Sequence, residues 1–168
     1  MIEIVRGVEL STRRRVSVDR ANMAEVVELT LGMIQSELRA RAEVVVDVAA
    51  EIWVPISPTH LSQVLLNLVA NAIEVLAENR KRGGKIQIRA ATSRTGVRLE
   101  VADNGPGVPA QVRDKIFDAF FTTKDDGGTG LGLAIARQIA VDAGGELSLT
   151  ETPGGGATFA LTLPRAPA

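Results

Sequence analysis

Apolar residues recur along this chain with two periods, and the changes between them divide it into elements. Met23, Val27, Leu31, Ile34 and Leu38 repeat at three and four, which predicts a helix over 21–42 with Asp19 as its N-cap. The runs at 44–48 and 52–54 are short and β-rich, and they predict a hairpin whose second strand ends at Pro55. Ser57 or Thr59 can cap a second helix, with Pro58 in its first turn, running to about Arg82 and stopped by Gly83 and Gly84. Residues 85–92 and 97–102 alternate apolar and polar, so they predict strands joined by a turn at 93–96. Residues 103–129 are glycine-rich and irregular, with a short helix expected near 110–117. A third helix is expected over 130–143, then strands at 146–151 and 157–163 around a loop at 152–156. Residues 1–15 carry too few apolar positions (Ile2, Val5, Leu10) for a self-sufficient helix, and the chain from Pro164 onward reads as a tail.

Helices with mostly hairpin-connected strands predict an α+β fold: a mixed, largely antiparallel sheet with helices on one face. A doubly wound parallel sheet would need regular βαβ alternation, which is absent. The 168 residues suit one domain, and 45% hydrophobic with 23% charged residues is ordinary for a folded one. A net charge of −1 argues against a general affinity for nucleic acid, and the basic run at 13–15 reads as a solvated face. With no cysteine there is no thiolate metal site, disulfide or cysteine nucleophile. One histidine excludes chemistry by histidine clusters. No apolar stretch reads as a membrane segment.

The second helix is apolar around most of its girth. At about 100° per residue, His60, Gln63, Asn67, Asn71, Glu74 and Glu78 share one narrow stripe. A solvated stripe would favour Lys, Arg and Glu, whereas asparagine is a poor helix former. Its side chain offers a neutral oxygen and an amide donor together, which suits a hard cation that also binds phosphates. Asp103, at the end of a strand and before Gly105 and Gly107, can accept from an exocyclic amino group, while the glycines let a flat ring approach. Taken alone, that stretch is also an ordinary turn. Three of the four phenylalanines cluster at 117–121, as a hydrophobic anchor for a lid, and Lys124 follows in a stretch from which it could reach a phosphate. The glycines at 127–132 open the third helix, where unpaired backbone N–H groups favour an anion. This run lacks the Lys-Ser/Thr ending of a P-loop and does not follow the first strand as a dinucleotide fingerprint would.

In this order the pieces resemble the catalytic ATP-binding domain of a sensor histidine kinase, in the superfamily that includes DNA gyrase and the Hsp90 chaperones. QVLLNLVANAIE resembles the N box, DNGPG the G1 box, FDAFFTTK the F box and GGTGLGL the G2 box, and the nitrogen-regulation branch is the nearest in pattern. The resemblance covers 17–164. It implies the Bergerat fold, a two-layer α/β sandwich of five mixed strands on three helices. It implies ATP or ADP with Mg²⁺, Asn71 as the metal ligand and Asn67 assisting. Asp103 would take the adenine amino group, with Gly105 and Gly107 shaping its pocket. Thr123, Lys124, Gly128, Thr129, Gly130, Leu131, Gly132 and Leu133 would surround the phosphates, with Asn67, Asn71 and Lys124 serving phosphoryl transfer. Phe117 and Phe120 would anchor the lid.

The hydrolysing relatives carry Glu where this chain has Asn67, and many sensor kinases carry Lys where it has Glu74, which shifts phosphate compensation to Lys124, Arg80 or Lys81. His60 lies inside the domain and does not match an acceptor position. Residues 1–16 are then expected to be the end of the dimerisation and phosphoacceptor hairpin, 17–164 the catalytic domain and 165–168 a tail. The implied partners are that hairpin domain and a response regulator receiver domain, and the implied location is cytoplasmic, with the anchoring of the parent protein left open. A serine kinase of the anti-sigma type and a nucleotide sensor without chemistry are the alternatives.

Overall fold

The computed structural model describes residues 19–78, 83–123 and 128–166. In chain order it contains β1 (Ala21–Asn22), α1 (Met23–Met33), α2 (Gln35–Arg41), β2 (Ala42–Asp47), β3 (Trp53–Val54), α3 (Pro58–Glu78), β4 (Gly84–Thr92), β5 (Val97–Asp103), a 3-10 turn (Ala110–Val112), α4 (Gly132–Asp142), β6 (Glu146–Glu151) and β7 (Ala157–Leu163). Five strands form one sheet in the order β2-β4-β5-β7-β6. Only the β2–β4 pair is parallel. This is the expected α+β sandwich.

The core follows from the strand alternation. Along β5, Val97, Leu99, Val101 and Asp103 are buried while the residues between them are partly open. The inward set meets Leu61, Val64, Leu65, Leu68, Val69 and Ile73 of α3. Burying such side chains contributes roughly 1.5–3 kcal/mol each, so α3 is the main fixed body of the helical layer. By length and apolarity α3 could cross a membrane, but here its apolar residues form the domain core. Its start is as expected, since Ser57 Oγ accepts from His60 N at 3.1 Å and Pro58 takes the first helical position.

Five expectations change. The strands at 44–48 and 52–54 do not form a hairpin: β2 leaves to pair in parallel with β4, and β3 pairs with β1. Residues 48–51 contain no Gly or Asn to make a tight reversal, so longer-range pairing wins. The helix at 21–42 is broken at Ile34 (φ −114°, ψ 18°), just after Gly32, the weakest helix former in the segment. Its N-cap is Asn22, whose Oδ1 accepts from Glu25 N at 3.0 Å while its Nδ2 donates to Ala50 O. The helix near 110–117 reduces to one 3-10 turn followed by irregular turns. Finally, α4 begins at Gly132, because Gly130 adopts a left-handed φ of 66° that no right-handed helix admits.

Asn22→Ala removes both the cap and the tie to the segment before β3. It is expected to cost about 1–2 kcal/mol in urea unfolding, and Asp19→Ala close to nothing. Equal effects would return the cap to Asp19.

Candidate functional site

Asn67, Asn71, Glu74 and Glu78 line one wall of a cavity of about 450 Å³. The stripe holds over that length of α3. His60 and Gln63, earlier on it, are exposed and do not line the cavity. Gly107, Val108 and Ile116 also line it, together with the stretches on either side of the 124–127 segment, Phe121, Thr122, Thr123, Gly128, Thr129 and Gly130. Gly132 and Leu133 bring the first turn of α4 to the same space, and Phe159 of β7 also lines it.

The α3–α4 contact sets the geometry. A Cβ on Gly132 would lie 3.6 Å from Asn67 Oδ1, so the N-terminus of α4 abuts Asn67. The N–H groups of that first turn have no carbonyl one turn earlier to bond and carry partial positive charge. Asn67 Nδ2 is buried and, among the described residues, is the one buried side-chain polar atom without a hydrogen-bond partner. An unsatisfied buried donor costs about 1–3 kcal/mol. Asn67 and the start of α4 thus border one cavity, a combination that suits an anionic ligand.

Asp103 closes the inward face of β5 at 5% exposure. Its Oδ1 accepts from Gly105 N at 2.8 Å and Ala157 N at 3.4 Å. Burial raises its carboxyl above the ordinary 3.8, and the bonds from Gly105 and Ala157 pull the other way. Asp103 and Gly105 stand behind the cavity wall rather than among the groups that line it. Gly105 packs so closely that a Cβ would sit 2.7 Å from Val75 Cγ1.

Gly156, which periodicity did not single out, braces the 103–107 loop beside the cavity. Its φ is 102°, and a Cβ there would collide with the Asp103 carbonyl oxygen. Gly107, at φ 80°, meets the Gly156 carbonyl in turn. The β6–β7 loop thus seals the back of the 103–107 loop. The available signal was three consecutive glycines at 154–156, more than a hairpin reversal needs.

The phenylalanine cluster divides. Phe117 packs edge-on against Phe159 with ring centroids 6.2 Å apart, and the Arg137 guanidinium lies 5.4 Å over it. Phe120, expected as a second anchor, is 76% exposed at a φ of 68°. Its backbone N–H donates to Gly130 O at 2.9 Å, so it fastens the rim through its backbone and not its ring. Phe121 takes the inward position. Thr129 lines the cavity while its Oγ1 accepts from Leu131 N at 3.4 Å, and Leu131 itself is not in the lining. Lys124, Arg80 and Lys81 lie outside the described residues.

Among the described residues no three His, Cys, Asp or Glu side chains cluster to hold a metal. A cation here would rest on few protein oxygens, Asn71 foremost, and on oxygens brought by the ligand, which is how Mg²⁺ is usually held. The residues present fit that arrangement.

Residues 56–167 match the family described as histidine kinase-, DNA gyrase B- and HSP90-like ATPases. The chain belongs to this family. It is 39% identical over 146 residues to the C4-dicarboxylate transport sensor protein DctB of Rhizobium meliloti, covering 86% of this chain and 23% of that protein. It is 33% identical over 141 residues to the sensory histidine kinase/phosphatase NtrB of Klebsiella oxytoca, covering 77% of this chain and 39% of that one. The catalytic domain of histidine kinase ThkA superposes with a TM-score of 0.77 at 33% identity, covering 88% of this chain and 97% of that domain. Full-length ShkA, solved in complex with AMPPNP, gives 0.75 at 28% identity over 90% of this chain and 32% of that one. The chain thus spans between 23% and 39% of the length of these two curated relatives. Within the family it is an ATP-binding catalytic domain of the sensor histidine kinase type.

The raised Asp103 carboxyl has a consequence for stability. The folded chain holds that proton more tightly than the unfolded chain does. The resulting stabilisation is complete below the ordinary 3.8 and is lost as pH rises through the raised folded value. Asn at 103 keeps the acceptor and removes the ionisation. Unfolding free energies measured from acid to neutral pH are expected to show wild type losing stability relative to Asp103→Asn across that window, then running parallel. A constant difference throughout would contradict the burial effect.

Proposed function

We propose that the cavity binds Mg·ATP and presents its γ-phosphate to a histidine on a separate dimerisation and phosphoacceptor domain. The observation that carries this reading is Asn67, which lines the cavity, abuts the N-terminus of α4 and holds a buried, unpartnered Nδ2. Both groups supply hydrogen-bond donors for phosphate oxygens. Asn71, one turn further along α3, offers its neutral oxygen to the cation. A Mg²⁺ ion held there by Asn71 would supply positive charge to offset the charge that develops during transfer. At the other end, the backbone donors Gly105 and Ala157 fix the plane of the Asp103 carboxyl through Oδ1, which leaves Oδ2 to accept from the adenine amino group. Gly107 and Gly156 keep that wall thin enough for a flat base.

What this chain contributes to the chemistry is positioning and charge. Asn67 donates to phosphate but, as a neutral amide, cannot deprotonate water near neutral pH. The γ-phosphate is therefore kept for the incoming imidazole, which attacks phosphorus as the bond to ADP breaks. Thr123, on the rim, and Lys124, the next residue in the sequence, are the further phosphate contacts in this reading. His60 is exposed and outside the cavity, which fits a capping-turn residue rather than the acceptor. The phosphorylated partner domain would in turn supply a response regulator receiver, and the domain would work on the cytoplasmic side of its parent protein.

Isothermal titration of this chain with Mg·ADP and Mg·ATP is expected to give micromolar binding. Asn71→Ala and Asp103→Ala should each weaken it by about tenfold or more, the loss of one charge-assisted or cation contact. Unchanged affinity in both variants would overturn the assignment, and so would acid-labile phosphate appearing on His60.

A further inference from the structure

Glu74 lines the same wall as Asn71, and Glu78 continues that wall one turn on. Helix geometry sets residues three apart about 4.5 Å from each other along the axis and close in bearing. A carboxylate there faces the space that a polyphosphate would enter. Like charges in a partly desolvated cavity repel more strongly than in water, so the wall disfavours a bare polyanion. A divalent cation between carboxylate and phosphate reverses the sign of that interaction. The described residues hold no cluster able to bind a metal without help, so the cation would arrive with the nucleotide. Hard cations of this kind take oxygen donors, and an ionised carboxylate offers charge that an amide oxygen lacks.

We infer that Glu74 acts beside Asn71 as a second protein contact to the nucleotide-borne divalent cation, directly or through a metal-bound water. This rests on the nucleotide reading of the cavity given above. Glu74 is then a specificity-determining residue: it selects the metal–nucleotide complex and rejects the metal-free nucleotide. The Asn71–Glu74 pair would replace a single-ligand seat by one with a neutral and a charged oxygen on successive turns of one rigid helix. No bond is made or broken by Glu74 in this role.

The test compares the wild type with Glu74→Gln and Glu74→Lys by isothermal titration of ADP, once with Mg²⁺ and once with EDTA. Glu74 is exposed and Gln is nearly isosteric, so the fold should survive, as thermal melts of the variants would verify. The informative quantity is the ratio of the two dissociation constants for each protein. In Glu74→Gln, metal-free ADP is expected to bind more tightly than in wild type and Mg·ADP more weakly. The ratio should fall by about tenfold, and further in Glu74→Lys. Electron paramagnetic resonance with Mn²⁺ in place of Mg²⁺ reads the same point without calorimetry: in the presence of ADP, bound Mn²⁺ should be released more readily from Glu74→Gln. A ratio within about twofold of wild type, or an equal loss under both conditions, would overturn the role of Glu74 while leaving the nucleotide site standing. Failure of the wild type to bind ADP even with Mg²⁺ would overturn both.

Discussion

The burial of α3 is the constraint on which the rest depends. Its apolar faces are held by the sheet, by α1 and by α4, with Leu61, Val64, Leu65, Leu68, Val69 and Ile73 inside the core. A helix gripped on so many sides cannot roll, and the bearing of its polar stripe is therefore fixed. Asn67 and Asn71 face one cavity because the leucines and valines leave them nowhere else to face. The price in helix propensity of two asparagines is a few tenths of a kcal/mol each, small against the packing that holds them.

The second constraint is close backbone approach. Gly107 and Gly156 lean on each other and on the Asp103 carbonyl, and Gly105 lies against Val75. The strand end, the β6–β7 loop and α3 are thereby locked into one wall. Asp103 is held by main-chain donors from two of these pieces, so its carboxyl is oriented before any ligand arrives. At the opposite end Gly130, in its left-handed conformation, takes the Phe120 N–H and turns the chain so that α4 starts at Gly132, beside Asn67. An acceptor thus stands behind one end of the cavity and donors stand at the other, a polarity that suits a base at one end and a polyanion at the other.

The sequence was most legible where one periodicity ran long. The asparagine stripe of α3, the alternation of β5 and the closing hairpin were readable because a single face decided each of them. It was least legible where distant pairing overrode local pattern. Nothing near 44–48 indicates that β2 crosses to pair in parallel with β4, since that preference resides in the partner strand. The break at Ile34 follows from docking two short helices, which a continuous apolar period conceals. At the site, residues from the four ordered motifs gather around one cavity, but Gly156 acts through contacts with residues some fifty positions away, and no local window records that. Phe120 shows the converse: an aromatic in a cluster was read as an anchor, and its backbone does the fastening instead.

In the proposed site the junction of Asn67 with the N-terminus of α4 seats the phosphates. A crystal structure of this chain with Mg²⁺ and a non-hydrolysable ATP analogue tests it most directly. The account predicts a phosphate oxygen within hydrogen-bond distance of Asn67 Nδ2 and of the backbone N–H groups in the first turn of α4. Phosphates bound elsewhere, with Asn67 Nδ2 satisfied by a protein group instead, would contradict it.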